Sequence, residues 1–187
     1  MRLTKWEGRD ADGPRAVLVK RDGPFAPIMQ EVLRKLAKYE DMEEATLKIK
    51  LDPGATMPTR AHATDAGLDL YAMEDKVIWP DCKVGDGAVF DTGVHIELPH
   101  GTFGKIESKS GLNVNHGIVS HGGVVDCGYT GSIKVKLYNH GPRGYAVRKG
   151  DKIAQLIIQP YLAPDMELVD ELEATERGES GFGSTGR

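Results

Sequence analysis

The chain is poor in cysteine and aromatic residues and has no long apolar run. Its 187 residues include two cysteines, Cys82 and Cys127, which are too few for a disulfide framework and lack metal-ligand spacing. The six histidines also show no paired metal spacing. No apolar stretch approaches the roughly 20 residues that span a bilayer, and the first residues contain no apolar signal segment. We therefore expect a cytoplasmic protein without zinc.

An excess of positive charge is also absent. The formal net charge is -4 at pH 7, so we expect neither duplex nucleic acid nor an anionic membrane surface as a partner. An anionic ligand would have to meet locally arranged cations and amides. With 40% hydrophobic residues, the chain can bury one sizeable core and a small appendage.

The sequence pattern divides the chain near residue 45. We expect an N-terminal extension over 1–45 and a β domain over 46–187, of which 174–187 is a mobile arm. Residues 1–26 predict a loop or a small hairpin. From 27 to 44 the period predicts one amphipathic helix, whose apolar stripe is Ile28, Met29, Val32, Leu33 and Leu36. This extension is either a partner-binding or targeting element or, more commonly for such helices, one that packs on the main domain or on a neighbouring subunit.

The β domain reads as short strands between turn signals, without a helical repeat among them. Many short strands at close spacing favour an all-β barrel or jelly roll. The predicted strands cover 47–51, Lys76 to Trp79, Ala88 to Phe90, Val94 to Leu98, Gly117 to Ser120, Ser132 to Tyr138 and Lys152 to Gln159.

Three polar islands in this domain could bind an anion. Asp69, between two leucines, could hold Mg²⁺ through water or pin a backbone, and an exposed turn residue is an equally common reading. The run Ser108–Leu112 offers a cation, hydroxyls and a glycine, the ingredients of a phosphate nest, although such runs are also common in plain turns. Gln155 interrupts an apolar strand and needs hydrogen-bond partners, from a phosphate or another strand.

A fourth island, residues 122–131, could carry the chemistry. Asp126 follows an apolar pair, and a carboxylate ionised at neutral pH can take the proton of an attacking water. The alternative is a hairpin turn in which Tyr129 packs as a half-buried aromatic. Cys127 is not expected to be a nucleophile because the spacing supplies no histidine base.

The last island is the C-terminal run Gly181-Phe182-Gly183-Ser184-Thr185-Gly186. Its G-x-G-x-x-G spacing cannot form a dinucleotide-binding turn, because only one residue follows and no helix can begin there. With Arg177 upstream, the run instead predicts an arm that folds over a phosphorylated ligand.

Taken in their order along the chain, the islands resemble the five motifs of the trimeric dUTP pyrophosphatase (dUTPase) family, from about residue 46 to Arg187. The resemblance implies a jelly-roll-like β domain that forms a homotrimer, with active sites at the subunit interfaces and the arm of one subunit closing a neighbour's site. It also implies Mg²⁺ and the hydrolysis of dUTP to dUMP and pyrophosphate.

The resemblance assigns roles to individual residues. Asp126 would be the general base for water attack on the α-phosphorus, and Asp69 would hold Mg²⁺ through water. The hairpin around Gly123, Val124 and Val125 would reach the uracil edge, with Tyr129 beneath the sugar excluding a 2′-hydroxyl and Lys134 as a further contact. The phosphate contacts would be Lys109, Ser110, Gly111, Gln155, Arg177, Ser184 and Thr185, and Phe182, beside Gly183, would stack on the base.

Two departures and two alternatives accompany this resemblance. Lys109 stands where the family usually has arginine, which removes a bidentate fork, and Ser180 replaces a common glycine. A dCTP deaminase relative would share the fold but needs a glutamate base and would release ammonia. A regulatory protein that senses a nucleotide on the same fold is the other alternative.

Overall fold

The computed structural model describes residues 3–10, 13–20, 27–28, 46–80, 87–121 and 123–178. Strands β1 (Leu3–Asp10) and β2 (Gly13–Lys20) form an antiparallel hairpin in which Trp6 lies opposite Val17. This agrees with the small hairpin that the sequence predicts there. Pro27 and Ile28 are helical, and the rest of the predicted helix lies outside the described residues.

The β domain consists mainly of short antiparallel strands, as the sequence predicts. They are β3 (Lys48–Leu51), β4 (Gly67–Tyr71), β5 (Lys76–Ile78), β6 (Ala88–Asp91), β7 (Val94–Glu97), β8 (Thr102–Ser108), β9 (Ile118–His121), β10 (Val124–Val125), β11 (Lys134–Asn139), β12 (Tyr145–Val147) and β13 (Lys152–Pro160). A single short helix in the described part of this domain, α1 (Ser110–His116), lies between β8 and β9. The expectation of no helix among the strands is wrong at this point.

Strands that are distant in sequence pair in the sheets. The largest sheet has the order β10-β8-β13-β4, a second has β6-β11-β9, and two pairs, β12-β5 and β3-β7, complete the described β domain. The core between them is formed by aliphatic side chains and one phenyl ring, and its fully buried members include Leu70, Ile78, Phe90, Leu137 and Leu156. No helix among the described residues has the length and apolarity to cross a membrane.

The alternation of β4 explains where the polar groups of the largest sheet point. Leu68 and Leu70 face the core, and Asp69 therefore points to the opposite face. On that face Asp69 lies level with Gln155 of β13, which lies level with Glu107 of β8. Asp69 is nevertheless only 3% exposed, so its charge needs partners.

The position of helix α1 is determined by the residues at its ends and not by an apolar stripe. Its seven residues include no buried one, which is why the sequence shows no helical period there. It ends at Gly117, which adopts φ +67° and whose amide donates to Asn113 O at 2.9 Å. A side chain at Gly117 would also meet the backbone nitrogen of Gly141 at 3.0 Å.

Candidate active site

A cavity of about 300 Å³ lies beside strand β10. The hairpin that the sequence predicts here is wrong, because β9 pairs with β11 whereas β10 pairs with β8. Five of the residues predicted to contact the nucleoside line the cavity together with the predicted base, Asp126. These five are Gly123, Val124, Val125, Tyr129 and Lys134. His121 and Lys136, which the sequence reasoning did not single out, also line this cavity.

The chain that leads into β10 packs closely against β8 at Gly123. The Ile106 amide donates to Gly123 O at 2.8 Å, and a Cβ at Gly123 would meet the Ile106 carbonyl oxygen at 2.9 Å. Only glycine therefore fits here without moving the backbone. One lone pair of the Gly123 carbonyl is already used, so it has limited capacity to pair with a base.

Tyr129 is held across the loop that follows Asp126. Its amide donates to Asp126 O at 3.0 Å and its hydroxyl donates to Ser132 O at 3.1 Å. A Cβ at Gly131 would collide with the phenol ring, so the ring lies directly over this glycine. The side chain is 48% exposed, which leaves one side of the ring available to a ligand.

A second polar group gathers around Asp69 on the largest sheet. Lys109 Nζ lies 2.6 Å from one carboxylate oxygen, and Lys152 Nζ lies 2.7 Å from the other. Burial raises the pKa of Asp69, but hydrogen bonds and charge from both lysines outweigh burial and hold that pKa below its ordinary value. Asp69 in turn raises the pKa of Lys152. The three groups carry a net charge of +1, from two cations and one anion.

The remaining predicted phosphate contacts border this group. Ser110 and Gly111 begin α1, whose first turn has no side-chain cap, and a Cβ at Gly111 would meet nothing within 4 Å. Gln155 is partly exposed rather than the buried amide that the sequence suggests. The Ser108 hydroxyl accepts the Ser120 amide at 2.8 Å, which ties this group to β9.

The cavity and the Asp69 group are far apart within one chain. Val125 lies opposite Gly104 on β8, whereas Asp69 lies level with Glu107 of the same strand. Three residues along β8 amount to about 10 Å, and three strand spacings from β10 to β4 add about 14 Å. The Cα atoms of Val125 and Asp69 are therefore roughly 17 Å apart. Asp126 is one residue further from Asp69 along β10.

Other predicted residues lie outside both groups. Arg177 lies near the end of the described chain, and Phe182, Gly183, Ser184 and Thr185 lie outside the described residues. Cys127 Sγ lies 3.8 Å from the carbonyl oxygens of Leu98 and Pro99.

Lys152 is the residue of the Asp69 group that the sequence reasoning missed. It stands at the start of an apolar strand, where a lysine is unremarkable, and no spacing links it to Asp69. Only the pairing of β13 with β4 brings the two together.

A larger cavity, of about 730 Å³, lies elsewhere in the domain. Its lining is mostly apolar, with Arg60 as its charged member, and it shares no lining residue with the Asp126 cavity. We assign the chemistry to the smaller cavity, because that one brings a carboxylate and cations together.

These features agree with the comparisons with known proteins. The sequence model of the dUTPase family matches residues 54–186. A deoxyuridine 5'-triphosphate nucleotidohydrolase of Clostridium tetani is 44% identical over 149 residues, which cover 78% of this chain and 100% of that protein. The enzyme of the same name from Rattus norvegicus is 41% identical over 189 residues, covering 99% of this chain and 89% of that protein. The chain therefore belongs to the dUTPase family, a class of nucleotide hydrolases.

Solved structures give the same fold. A mutant dUTPase of Staphylococcus bacteriophage 80alpha, in complex with dUpNHpp, superposes with a TM-score of 0.69 at 32% identity, covering 76% of this chain and 99% of that one. A mutant dUTPase of phage phi11, described with a structural Mg(II) ion, superposes with a TM-score of 0.63 at 29% identity, covering 70% and 100% of the two chains. The all-β, jelly-roll-like architecture is thereby confirmed.

Proposed function

We propose that this protein hydrolyses dUTP to dUMP and pyrophosphate, with Asp126 as the general base for water attack on the α-phosphorus. The observation that carries the proposal is the position of Asp126 in the same cavity as the five predicted nucleoside contacts. Asp126 is exposed in the single chain, so a water can reach its carboxylate. A base of this kind contributes about 10²- to 10⁴-fold to the rate.

The cavity supports selection of a deoxyuridine nucleotide. Its volume of about 300 Å³ suits one base with its sugar. The backbone around Val124 would read the uracil edge, where a 5-methyl or 4-amino group would fit poorly. Tyr129 would lie beneath the sugar, where its fixed ring leaves no room for a ribose 2′-hydroxyl.

The Asp69 group would receive the triphosphate. Its net charge of +1 attracts an anion, and Lys109 with the open first turn of α1 would contact phosphate oxygens. Gln155, level with Asp69, would donate from its amide. These contacts orient the chain of phosphates without taking part in proton transfer.

The residues around Asp69 also fit a magnesium ion held through water. The lowered pKa keeps the Asp69 carboxylate ionised. Each carboxylate oxygen that accepts a hydrogen bond from a lysine keeps a lone pair that can accept a second one, from a metal-bound water. No cluster of three or more acidic, histidine or cysteine side chains that could hold a metal ion occurs among the described residues. When bound, Mg²⁺ would neutralise charge on the triphosphate.

We further propose that the active sites are shared within a homotrimer. The Cα atoms of Val125 and Asp69 in one chain are roughly 17 Å apart and Asp126 lies further still, which favours a site in which Asp126 of one subunit faces Asp69 of a neighbour. Residues 161–178 also expose apolar side chains that an assembly would cover, among them Leu162, Met166 and Leu168. Arg177 would lead the C-terminal arm into a neighbour's site, where Phe182 would stack on uracil and Ser184 and Thr185 would clamp the phosphates beside Gly183.

The activity is tested with purified protein, Mg²⁺ and each nucleoside triphosphate. We expect pyrophosphate from dUTP and little from dCTP, dTTP or UTP, and we expect EDTA to stop turnover and weaken binding of an uncleavable dUTP analogue. Ammonia release from dCTP would instead identify a deaminase. The Asp126→Asn variant should bind the analogue with nearly unchanged affinity but lose turnover by about 10²- to 10⁴-fold. Full activity in this variant would contradict the role of Asp126.

Sharing of the sites is tested by complementation between two inactive variants, Asp126→Asn and Asp69→Asn. If the two carboxylates of one site come from different subunits, co-expressed chains will form some sites with both residues intact. Activity should therefore recover in the mixed trimers but not when separately purified trimers are combined without exchange. Absence of recovery in verified mixed trimers would show that both residues act within one chain.

The division at residue 45 and a cytoplasmic location stay predictions.

A further inference from the structure

The loop from Asp126 to Ser132 is fixed firmly at its far end. The Ser132 hydroxyl donates to the Asp91 carboxylate, and the next amide, of Ile133, donates to Val94 O at 2.9 Å. Gly128, at φ +95°, lies in the middle of the loop, where the backbone is intrinsically more flexible. Tyr129 is held within the loop by its bonds to Asp126 O and Ser132 O, and contacts that reach the middle of the loop from outside add to these.

His95 of β7 makes such a contact. Its Nδ1 lies 2.8 Å from Thr130 O, and because a carbonyl only accepts, Nδ1 carries the proton. Its Nε2 lies 3.2 Å from Asp52 Oδ1, which makes an ion pair when the ring is protonated. The His95 side chain is 19% exposed. The Asp52 amide donates to Gly93 O at 2.8 Å, which fixes Asp52 beside the start of β7.

The ring is therefore held from two sides. The bond to Thr130 O and the charge of Asp52 raise the pKa of His95, whereas Lys50 opposes protonation. Asp52, His95 and Thr130 form a continuous link from the β3-β7 pair to the residue next to Tyr129. None of the three lines the Asp126 cavity, so His95 could act only through the loop.

We infer that His95 is a positioning residue that sets the discrimination of this enzyme against ribonucleotides. By holding the Thr130 carbonyl, it keeps the Tyr129 ring over Gly131 and close beneath the sugar. Without this contact the middle of the loop gains freedom, the ring can recede, and a 2′-hydroxyl is tolerated. The inference deepens the proposed function and rests on it.

The test compares the ratio of kcat/KM for dUTP to kcat/KM for UTP in His95→Ala, His95→Asn and His95→Gln. This ratio does not depend on the fraction of active enzyme, so loss of folded protein alone leaves it unchanged. The amide nitrogen of asparagine stands near the place of Nδ1 and can still donate to Thr130 O, whereas that of glutamine stands nearer Nε2. His100→Ala, at an exposed histidine, serves as the control.

We expect the ratio to fall about fivefold to tenfold in His95→Ala, within the roughly twofold to thirteenfold range for loss of one hydrogen bond. His95→Gln should fall similarly, and His95→Asn should stay within about twofold of the wild type. An unchanged ratio in His95→Ala would overturn the inference. Equal losses in His95→Asn and His95→Ala would overturn it too, because the bond to Thr130 would then be irrelevant.

Failure of the proposed function gives a different result. In that case the wild-type protein itself does not hydrolyse dUTP or does not prefer it to UTP. If the wild type prefers dUTP and the His95 variants keep that preference, only the inference about His95 fails. A crystal structure of His95→Ala should show the Tyr129 ring displaced from Gly131, as an independent readout.

Discussion

Replacement of Asp69 by asparagine should destabilise the protein in a pH-dependent manner. The substitution keeps the shape of the side chain and removes its charge, so the two ammonium groups at 2.6 and 2.7 Å then meet a neutral amide. The Asp69 side chain is only 4% exposed, so water replaces the lost interaction poorly.

The exposure of the two lysines determines how much the substitution lowers the free energy of unfolding. Loss of one partner from a fully buried ion pair costs about 3–5 kcal/mol, whereas an exposed pair contributes about 0–1 kcal/mol. The side chains of Lys109 and Lys152 are 22% and 43% exposed, so solvent screens part of each attraction. We expect the Asp69→Asn substitution to lower the free energy of unfolding by about 1–3 kcal/mol per subunit at pH 7.

The direction of the Asp69 pKa shift determines the pH range in which the carboxylate stabilises the fold. Because the pKa of Asp69 is lower in the folded state than its ordinary value of 3.8, the carboxylate stabilises the fold fully above that value. This contribution is lost as the pH falls through the lower, folded-state pKa. The difference between the wild type and Asp69→Asn should therefore be constant from pH 7 to about 5 and shrink below about 4.

Urea unfolding at several pH values measures this difference. Protein concentrations must be matched, because the proposed homotrimer would stabilise its folded subunits by mass action. Asp75→Asn, which removes an exposed ion pair to Arg148, is the control and should cost less. Equal losses in both variants, or a difference for Asp69→Asn that persists unchanged to pH 2, would refute the reasoning.

Three further substitutions test separate parts of the structure. Gly111→Ala should leave the melting temperature nearly unchanged, since a Cβ there meets open space, but should raise the KM for dUTP if a phosphate approaches this backbone; an unchanged KM would exclude that contact. Gly131→Ala should lower kcat/KM for dUTP, because the methyl group collides with Tyr129, and kinetics at wild-type level would show that the ring moves at no cost. Phe90→Ala should lower the free energy of unfolding by about 3–5 kcal/mol in denaturant titrations, and a loss below about 1 kcal/mol would contradict the burial of this ring.

The local pattern predicted much of the β domain. Strands β5, β6, β7, β9, β11 and β13 lie within one or two residues of their predicted bounds, because apolar runs between turn residues report a local preference. Strand β8 was missed, since its sequence, Thr102–Ser108, includes Gly104, Lys105 and Glu107 and lacks a continuous apolar run. Helix α1 was missed because none of its residues is buried.

The candidate residues show the same division between local and non-local information. Asp126 and Tyr129 are close in sequence, and their relative position follows from one turn bond, from the Tyr129 amide to Asp126 O. Lys109 and Asp69 are 40 positions apart, and Lys152 is still further along the chain. The opposite charges of Lys109 and Asp69 make them plausible partners, but only the strand pairing shows that Lys152 also contacts the Asp69 carboxylate.

The sequence by itself determined the β class, most strand positions, the motif order and the identity of the candidate groups, because each depends on residues within a few positions of one another. Only the tertiary structure decided that Asp69 has two ammonium partners, that His95 holds the Thr130 carbonyl and that the cavity lies far from the Asp69 group. These arrangements depend on which strands pair and in which register. That choice is made by burial of the whole core, and no short stretch of sequence encodes it.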